Sequence, residues 1–186
     1  DTAASLVSPL DLPYKGTREL TAQDFVYAIK RMASPRIVCP VLRVLGEHMP
    51  GLTELAKRLR AKEAISPQAW LDLRDEPLEG VRIVDRWTFE IDVKGKYPQF
   101  SNWLAMNFFA PVPWEAEAFY ANEKLRENNI TLDSWPVGTG PYYLALSRQN
   151  REHILKKNPL FHTVLYPCEG EESDAKAGFL KDCGKK

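Results

Sequence analysis

From Thr21 onward, apolar residues recur at helical spacing: Phe25, Ala28, Ile29 and Met32. Thr21 is a good N-cap, and Asp24 stands three residues on as its capping-box partner. The helix is expected to end near Ser34-Pro35, because proline disfavours the α conformation in the residue before it. A second helical region runs from Pro40 to Glu63. Val41, Leu42 and Leu45 mark its first part, and Leu52, Leu55, Ala56 and Leu59 form the apolar stripe of its second. Gly46 and Pro50-Gly51 interrupt the pattern, which predicts two helices. Ser66-Pro67 has the form of an N-cap with proline at the first helical position, and predicts a short helix through Trp70, Leu71 and Leu73. Residues 1–20 carry Pro9, Pro13 and Gly16 without a clear period and read as loop or extended chain.

The period then changes to two. Val81 and Ile83 flank Arg82, and Phe89, Ile91 and Val93 alternate with Glu90, Asp92 and Lys94. Asp85-Arg86-Trp87 lies between as a polar turn, so the segment reads as a β-hairpin with one buried and one wet face. A helix is expected from about Pro98, carrying Phe100, Trp103, Leu104 and Met106 and broken by Pro111-Val112-Pro113. Trp114 to Leu125 resumes helical character. Beyond the turn-rich Pro136 to Pro141, Tyr142, Leu144 and Leu146 alternate with Tyr143, Ala145 and Ser147. Glu152 to Lys157 reads as the return strand, and Glu169 to Asp174 as an acidic exposed loop.

Composition narrows the function classes. The chain has 186 residues, enough for one domain or one domain with part of another. Lys+Arg and Asp+Glu both number 25, so there is no basic excess of the kind that draws nucleic acid. No apolar run nears the roughly 18 residues needed to span a bilayer. No charged, apolar leader follows Asp1, which fits a cytosolic protein, a mature secreted one or an excised piece. Cys39, Cys168 and Cys183 are an odd set. A Cys168–Cys183 bridge would contribute on the order of 3 kcal/mol in the chain-entropy view, but free, partly buried thiols are the expectation.

Candidate chemistry is sparse. Gly138-Thr139-Gly140 lacks the third glycine of a dinucleotide fingerprint and the Gly-Lys-Ser/Thr of a phosphate loop. It reads instead as a tight turn whose glycines supply positive φ. His48, His153 and His162 are not spaced as pairs, and His162 with Cys168 and Cys183 matches no common zinc pattern, so no metal site is expected. No serine sits in a nucleophile elbow. Asp72 with Asp75, and Glu115 with Glu117, read as solvated helix faces. These observations point away from an enzyme and call for no cofactor. Trp87, Phe89, Tyr97, Phe100, Trp103, Phe108 and Phe109 crowd one stretch. They read as a small core between hairpin and helix; the alternative is that Phe108-Phe109-Ala110-Pro111 lines a cleft where part of a ligand rests, with Phe108 and Phe109 as the candidate residues.

Three segments in order resemble one known family. Thr21-Ala22-Gln23-Asp24-Phe25-Val26-Tyr27-Ala28-Ile29-Lys30-Arg31 is similar to its first helix. Gly80-Val81-Arg82-Ile83-Val84-Asp85-Arg86-Trp87-Thr88-Phe89-Glu90-Ile91 is similar to its hairpin. Pro136-Val137-Gly138-Thr139-Gly140-Pro141-Tyr142, with Asn150-Arg151-Glu152 and Lys157-Asn158-Pro159, is similar to its later block. The family is the extracellular solute-binding proteins of family five, which includes the periplasmic oligopeptide- and dipeptide-binding proteins of ABC importers. The likeness runs over residues 18–162. Tyr14-Lys15-Gly16 and Leu160-Phe161-His162 depart from the family pattern.

The resemblance implies an α+β fold. Residues 1–135 would form a small helix-and-hairpin subdomain, and residues 136–186 the first strands of an incomplete main lobe like that of periplasmic binding proteins. It implies a bacterial, periplasmic or cell-surface protein that captures a peptide or other small solute and delivers it to a membrane ABC permease. The chain is expected to be a monomeric piece of such a protein, without catalysis and without nucleic acid. Its matched residues would be structural: Thr21 as cap, Phe25 and Ile29 as core, Gly138 and Gly140 as turn. A non-ligand-binding interaction module is the alternative reading, and an enzyme the third.

Overall fold

The computed structural model describes residues 18–67, 70–148 and 150–185. Most of the N-terminal stretch read as loop or extended chain lies outside the described residues. The fold is α+β, and it divides between Val137 and Gly138 into two units.

The first unit is built on α1 (Ala22–Met32), α2 (Leu42–His48) and α3 (Leu52–Ile65). Thr21 caps α1 as expected, with its backbone N–H donating to the Asp24 carboxylate at 2.9 Å. Val26, Tyr27, Ile29 and Met32 bury one side of α1, whereas Phe25 is half-buried and stacks on Phe89 at 5.6 Å. In α3 the residues at i, i+3, i+4 and i+7, Leu52, Leu55, Ala56 and Leu59, all face the core. The break before α3 falls at Pro50-Gly51. Gly51 has φ +80°, and a Cβ there would lie 2.9 Å from the Glu79 backbone nitrogen, so glycine is demanded both by conformation and by space. Gly46 does not interrupt α2; it lies within it.

A hairpin of β1 (Val81–Ile83) and β2 (Phe89–Ile91) packs Val81 into the same core. Its antiparallel register pairs Val81 with Ile91 and Ile83 with Phe89. Arg82 opposes Glu90 on the wet face and pairs with it and with Asp92. The turn forms because the Asp85 carboxylate accepts the backbone N–H groups of Trp87 and Thr88 at 2.7 and 2.9 Å. Val93 lies beyond the strand.

Several elements differ from the sequence pattern. Trp70 to Leu73 is not helical, and Gln68 and Ala69 lie outside the described residues. Here the Asp72 side chain accepts the Arg74 backbone N–H at 3.0 Å, a local bond that competes with a helix this short. The helix expected through Met106 stops as α4 (Phe100–Leu104). Met106 is extended, and a 3₁₀ turn at Asn107–Phe109 then carries Phe109 into the core. The next helix is two: α5 (Trp114–Tyr120) and α6 (Glu123–Glu127), divided where Asn122 caps α6 by accepting the Lys124 N–H at 3.0 Å. Tyr120, Ala116 and Leu125 form a second small core with Trp135, whose carbonyl accepts from the Tyr120 hydroxyl at 2.9 Å.

The second unit holds an antiparallel pair, β3 (Tyr142–Arg148) and β4 (Glu152–Lys157), with an irregularity at Ala145 between Leu144 and Leu146. Asn150 takes a left-handed φ of 61° in the connection. None of the described residues in this unit is fully buried, and every residue of β4 is exposed. Glu171 and Asp174 cap a short α7 (Glu172–Lys176), so the acidic segment is partly helical rather than all loop. Cys168 and Cys183 are disulfide-bonded, which corrects the expectation of free thiols. Their segments are brought side by side by the Tyr166 N–H on the Lys185 carbonyl at 2.9 Å and the Gly184 N–H on the Tyr166 carbonyl at 3.0 Å.

Candidate functional site

The aromatic stretch separates into core and cavity lining. Phe109 is buried and meets Phe100 edge to face at 6.3 Å, so it packs the core. Phe108 is half-buried and does line a cavity of about 280 Å³. Ala28 and Met32 of α1, Cys39, Ala110 and Val112 supply its apolar wall. One guanidinium, Arg31, stands in it, paired with Glu117 and 3.8 Å from Asp133. Trp87 is left out of the core, 61% exposed at the hairpin turn, while Tyr97 stacks on His48 at 4.0 Å and accepts the Trp103 indole N–H at 2.7 Å.

A larger cavity, about 580 Å³, lies elsewhere on α1. Val26 and Lys30, one helical turn apart, line it together with Arg58, Glu76, Leu78 and Val81. Lys30 and Glu76 are buried charges. The Lys30 ammonium donates to the Arg74 carbonyl at 2.8 Å, and burial draws its pKa below the ordinary lysine value against the pull of Asp75, Glu76 and Asp72. Glu76 is held by Lys62, with Arg58 3.9 Å away.

Carboxylates thought to be solvated are engaged. Glu115 pairs with Arg18 at 2.5 Å, Glu117 with Arg31, and Asp72 with Arg74 at 2.6 Å. Arg18 also grips Asp24, which is buried. Burial works to raise the Asp24 pKa, but the Arg18 guanidinium and the Thr21 N–H overcome it and hold the carboxyl below its ordinary value. The Arg74 guanidinium lies 4.0 Å from the centre of the Trp114 ring and 5.7 Å from that of Trp70.

Gly138 and Gly140 adopt no positive φ, so their expected conformational role does not hold. The segment is fixed instead by Asn158, whose side chain donates to the Gly140 carbonyl at 3.0 Å and whose backbone N–H donates to the Pro141 carbonyl at 2.8 Å. Cys168 and Cys183 have spent their sulfurs on each other and cannot join His162 as metal ligands. The pattern reading missed Lys30, Glu76 and Arg18. For Lys30 a cue existed: it follows Ile29 and lies four residues after Val26, inside the apolar arc of α1. For Arg18 and Glu76 the ion pairs to Glu115 and to Lys62 join separate elements and left no local cue.

Among the described residues, no helix is long and apolar enough to cross a membrane. Residues 15–176 match the family described as bacterial extracellular solute-binding proteins, family 5 Middle. The chain is also similar to the periplasmic oligopeptide-binding protein OppA of Escherichia coli (strain K12), with 27% identity over 152 residues. That alignment covers 81% of this chain and 24% of the relative, so the chain spans about a quarter of the length of the curated relative it matches. No solved structure matches.

Proposed function

The chain belongs to the bacterial extracellular solute-binding proteins of family 5, and from that premise we propose that it serves a protein which captures peptides outside the cytoplasm and delivers them to an ABC importer. The observation that carries this reading is the family match over residues 15–176. The likeness to an oligopeptide-binding protein favours peptides among the solutes. The Cys168–Cys183 disulfide supports a periplasmic or cell-surface location, because such bonds persist in oxidising compartments. The role is binding without catalysis, and the membrane permease is the partner.

Residues 1–135 serve as the small subdomain and residues 136–186 as the start of the main lobe. The exposure of β4 and the incomplete burial of β3 support this division, since an isolated two-stranded ribbon is marginal in water. Within the small subdomain, Phe108 and the apolar wall of its cavity receive part of the ligand, with Phe109 packed behind.

Uptake of a labelled tripeptide by the bacterium that encodes the chain tests the function. Deleting the gene is expected to abolish uptake, and a plasmid copy to restore it. Unchanged uptake of peptides of several lengths and sequences in the deletion strain would set the proposal aside.

A further inference from the structure

We propose that Lys30 is a carbonyl-reactive amine, which forms an imine with a small aliphatic aldehyde in the 580 Å³ cavity beside α1. It goes beyond the function proposed above, because the site is not the Phe108 cavity and the capture is covalent. On α1, Val26 and Lys30 line this cavity while Ala28, Arg31 and Met32 line the other.

Lys30 is 8% exposed, and its hydrogen bond among the described residues goes to a neutral acceptor, the Arg74 carbonyl, at 2.8 Å. Two carboxylates that could have paired with it are engaged elsewhere, Asp72 by Arg74 and Glu76 by Lys62, and Asp75 is exposed. Burial outweighs the pull of all three and favours the uncharged amine. A desolvated lysine of this kind is the nucleophile that Schiff-base chemistry requires. Donating one N–H to the Arg74 carbonyl leaves the nitrogen lone pair free. Glu54, Arg58 and Glu79 line the cavity and are exposed, so they mark its mouth. That mixed rim favours neither an anion nor a cation, and a neutral carbonyl compound passes it. Val26, Leu78 and Val81 give the alkyl chain an apolar wall. The lone pair adds to the aldehyde carbon, the C=O π pair moves to oxygen, and one proton passes from nitrogen to that oxygen. The carbinolamine then loses its hydroxyl with the remaining N–H proton as water, which breaks the C–O bond and forms C=N. Amine and aldehyde thus give imine and water, and nothing is oxidised or reduced.

The test is reductive trapping of the 186-residue chain with butanal. Cyanoborohydride, added with the aldehyde at about pH 7, reduces any imine to a stable secondary amine, and peptide mass mapping locates the labelled lysines. Lys30 should be labelled about tenfold faster than the exposed Lys156 and Lys157, because the alkyl chain finds an apolar wall beside Lys30. The preference should disappear in denaturing urea. It should shrink at about pH 10, where exposed lysines also lose their protons. Lys30→Arg keeps a donor for the Arg74 carbonyl and should remove the dominant product. Should that variant fail to fold, the comparison of native and urea-treated parent chain decides. Labelling of Lys30 no faster than that of Lys156 and Lys157, or a preference that survives urea, overturns the proposal.

Discussion

Asp24 shows how much one side chain can fix. It caps α1 through Thr21, accepts a two-point grip from Arg18, and does both while buried. Asp24→Ala is expected to lower unfolding free energy by about 2 kcal/mol, combining a lost cap with a lost charge-assisted bond, as read by urea denaturation. Asp24→Asn keeps an acceptor and should cost about half as much. The sign with pH follows from the depressed carboxyl pKa. The stabilisation is complete above the unfolded value near about pH 4 and is lost as pH falls through the folded one. The Asn variant should therefore show a shallower loss of stability below about pH 4 than the parent chain. Glycines differ in the same residue-by-residue way. Gly51→Ala forces a Cβ against the Glu79 backbone at positive φ and should cost upwards of about 1 kcal/mol. Gly46→Ala places a Cβ 2.6 Å from the Thr53 Oγ1, so Thr53 must shift and its bond to the Gly46 carbonyl is lost, which offsets the gain in helix propensity; a smaller loss than for Gly51→Ala is expected by thermal melting.

At the scale of elements, what the sequence showed depended on whether local pattern and tertiary demand agreed. They agree in α1, α3 and both hairpins, where cap, period and turn chemistry point one way. They part at Trp70 to Leu73, where the Asp72 side chain takes over a backbone donor, and at Asn107–Phe109, where burial of Phe109 overrides helix continuation. Of the two cavities the sequence marked only single lining residues, Phe108 by its aromatic stretch and Lys30 by its place in the apolar arc of α1. Each gathers residues from α1 and from distant loops, and only folding brings Lys30 to the Arg74 carbonyl or Phe108 to Met32. The disulfide is a case between these: the spacing of Cys168 and Cys183 allowed it, but the backbone bonds between Tyr166 and the 184–185 segment that align the sulfurs have no sequence mark. Thiol labelling under denaturing conditions should find one reactive cysteine, Cys39, before reduction and all three after it. Three labelled cysteines without reductant would remove the bridge, and with it the support it lends to an extracytoplasmic location.

For the molecule as a whole, stability is expected to be uneven. The first unit has a core of α1, α3, Leu45, Leu73, Leu78 and Phe109, while the second has no fully buried residue among those described. Hydrogen exchange of this chain should protect the amides of α1 and α3 far more than those of β3 and β4. Equal protection would contradict the view that the β3–β4 pair awaits further sheet. The chain spans about a quarter of the oligopeptide-binding relative, and family membership is what supports the transport role proposed for the protein it serves. That role is tested most directly by native mass spectrometry of the protein purified from its own host, with bound ligands identified after denaturation. The account predicts short peptides of mixed sequence released in proportion to protein. Protein that carries no peptide, and takes up none when a mixed peptide pool is added, would contradict it.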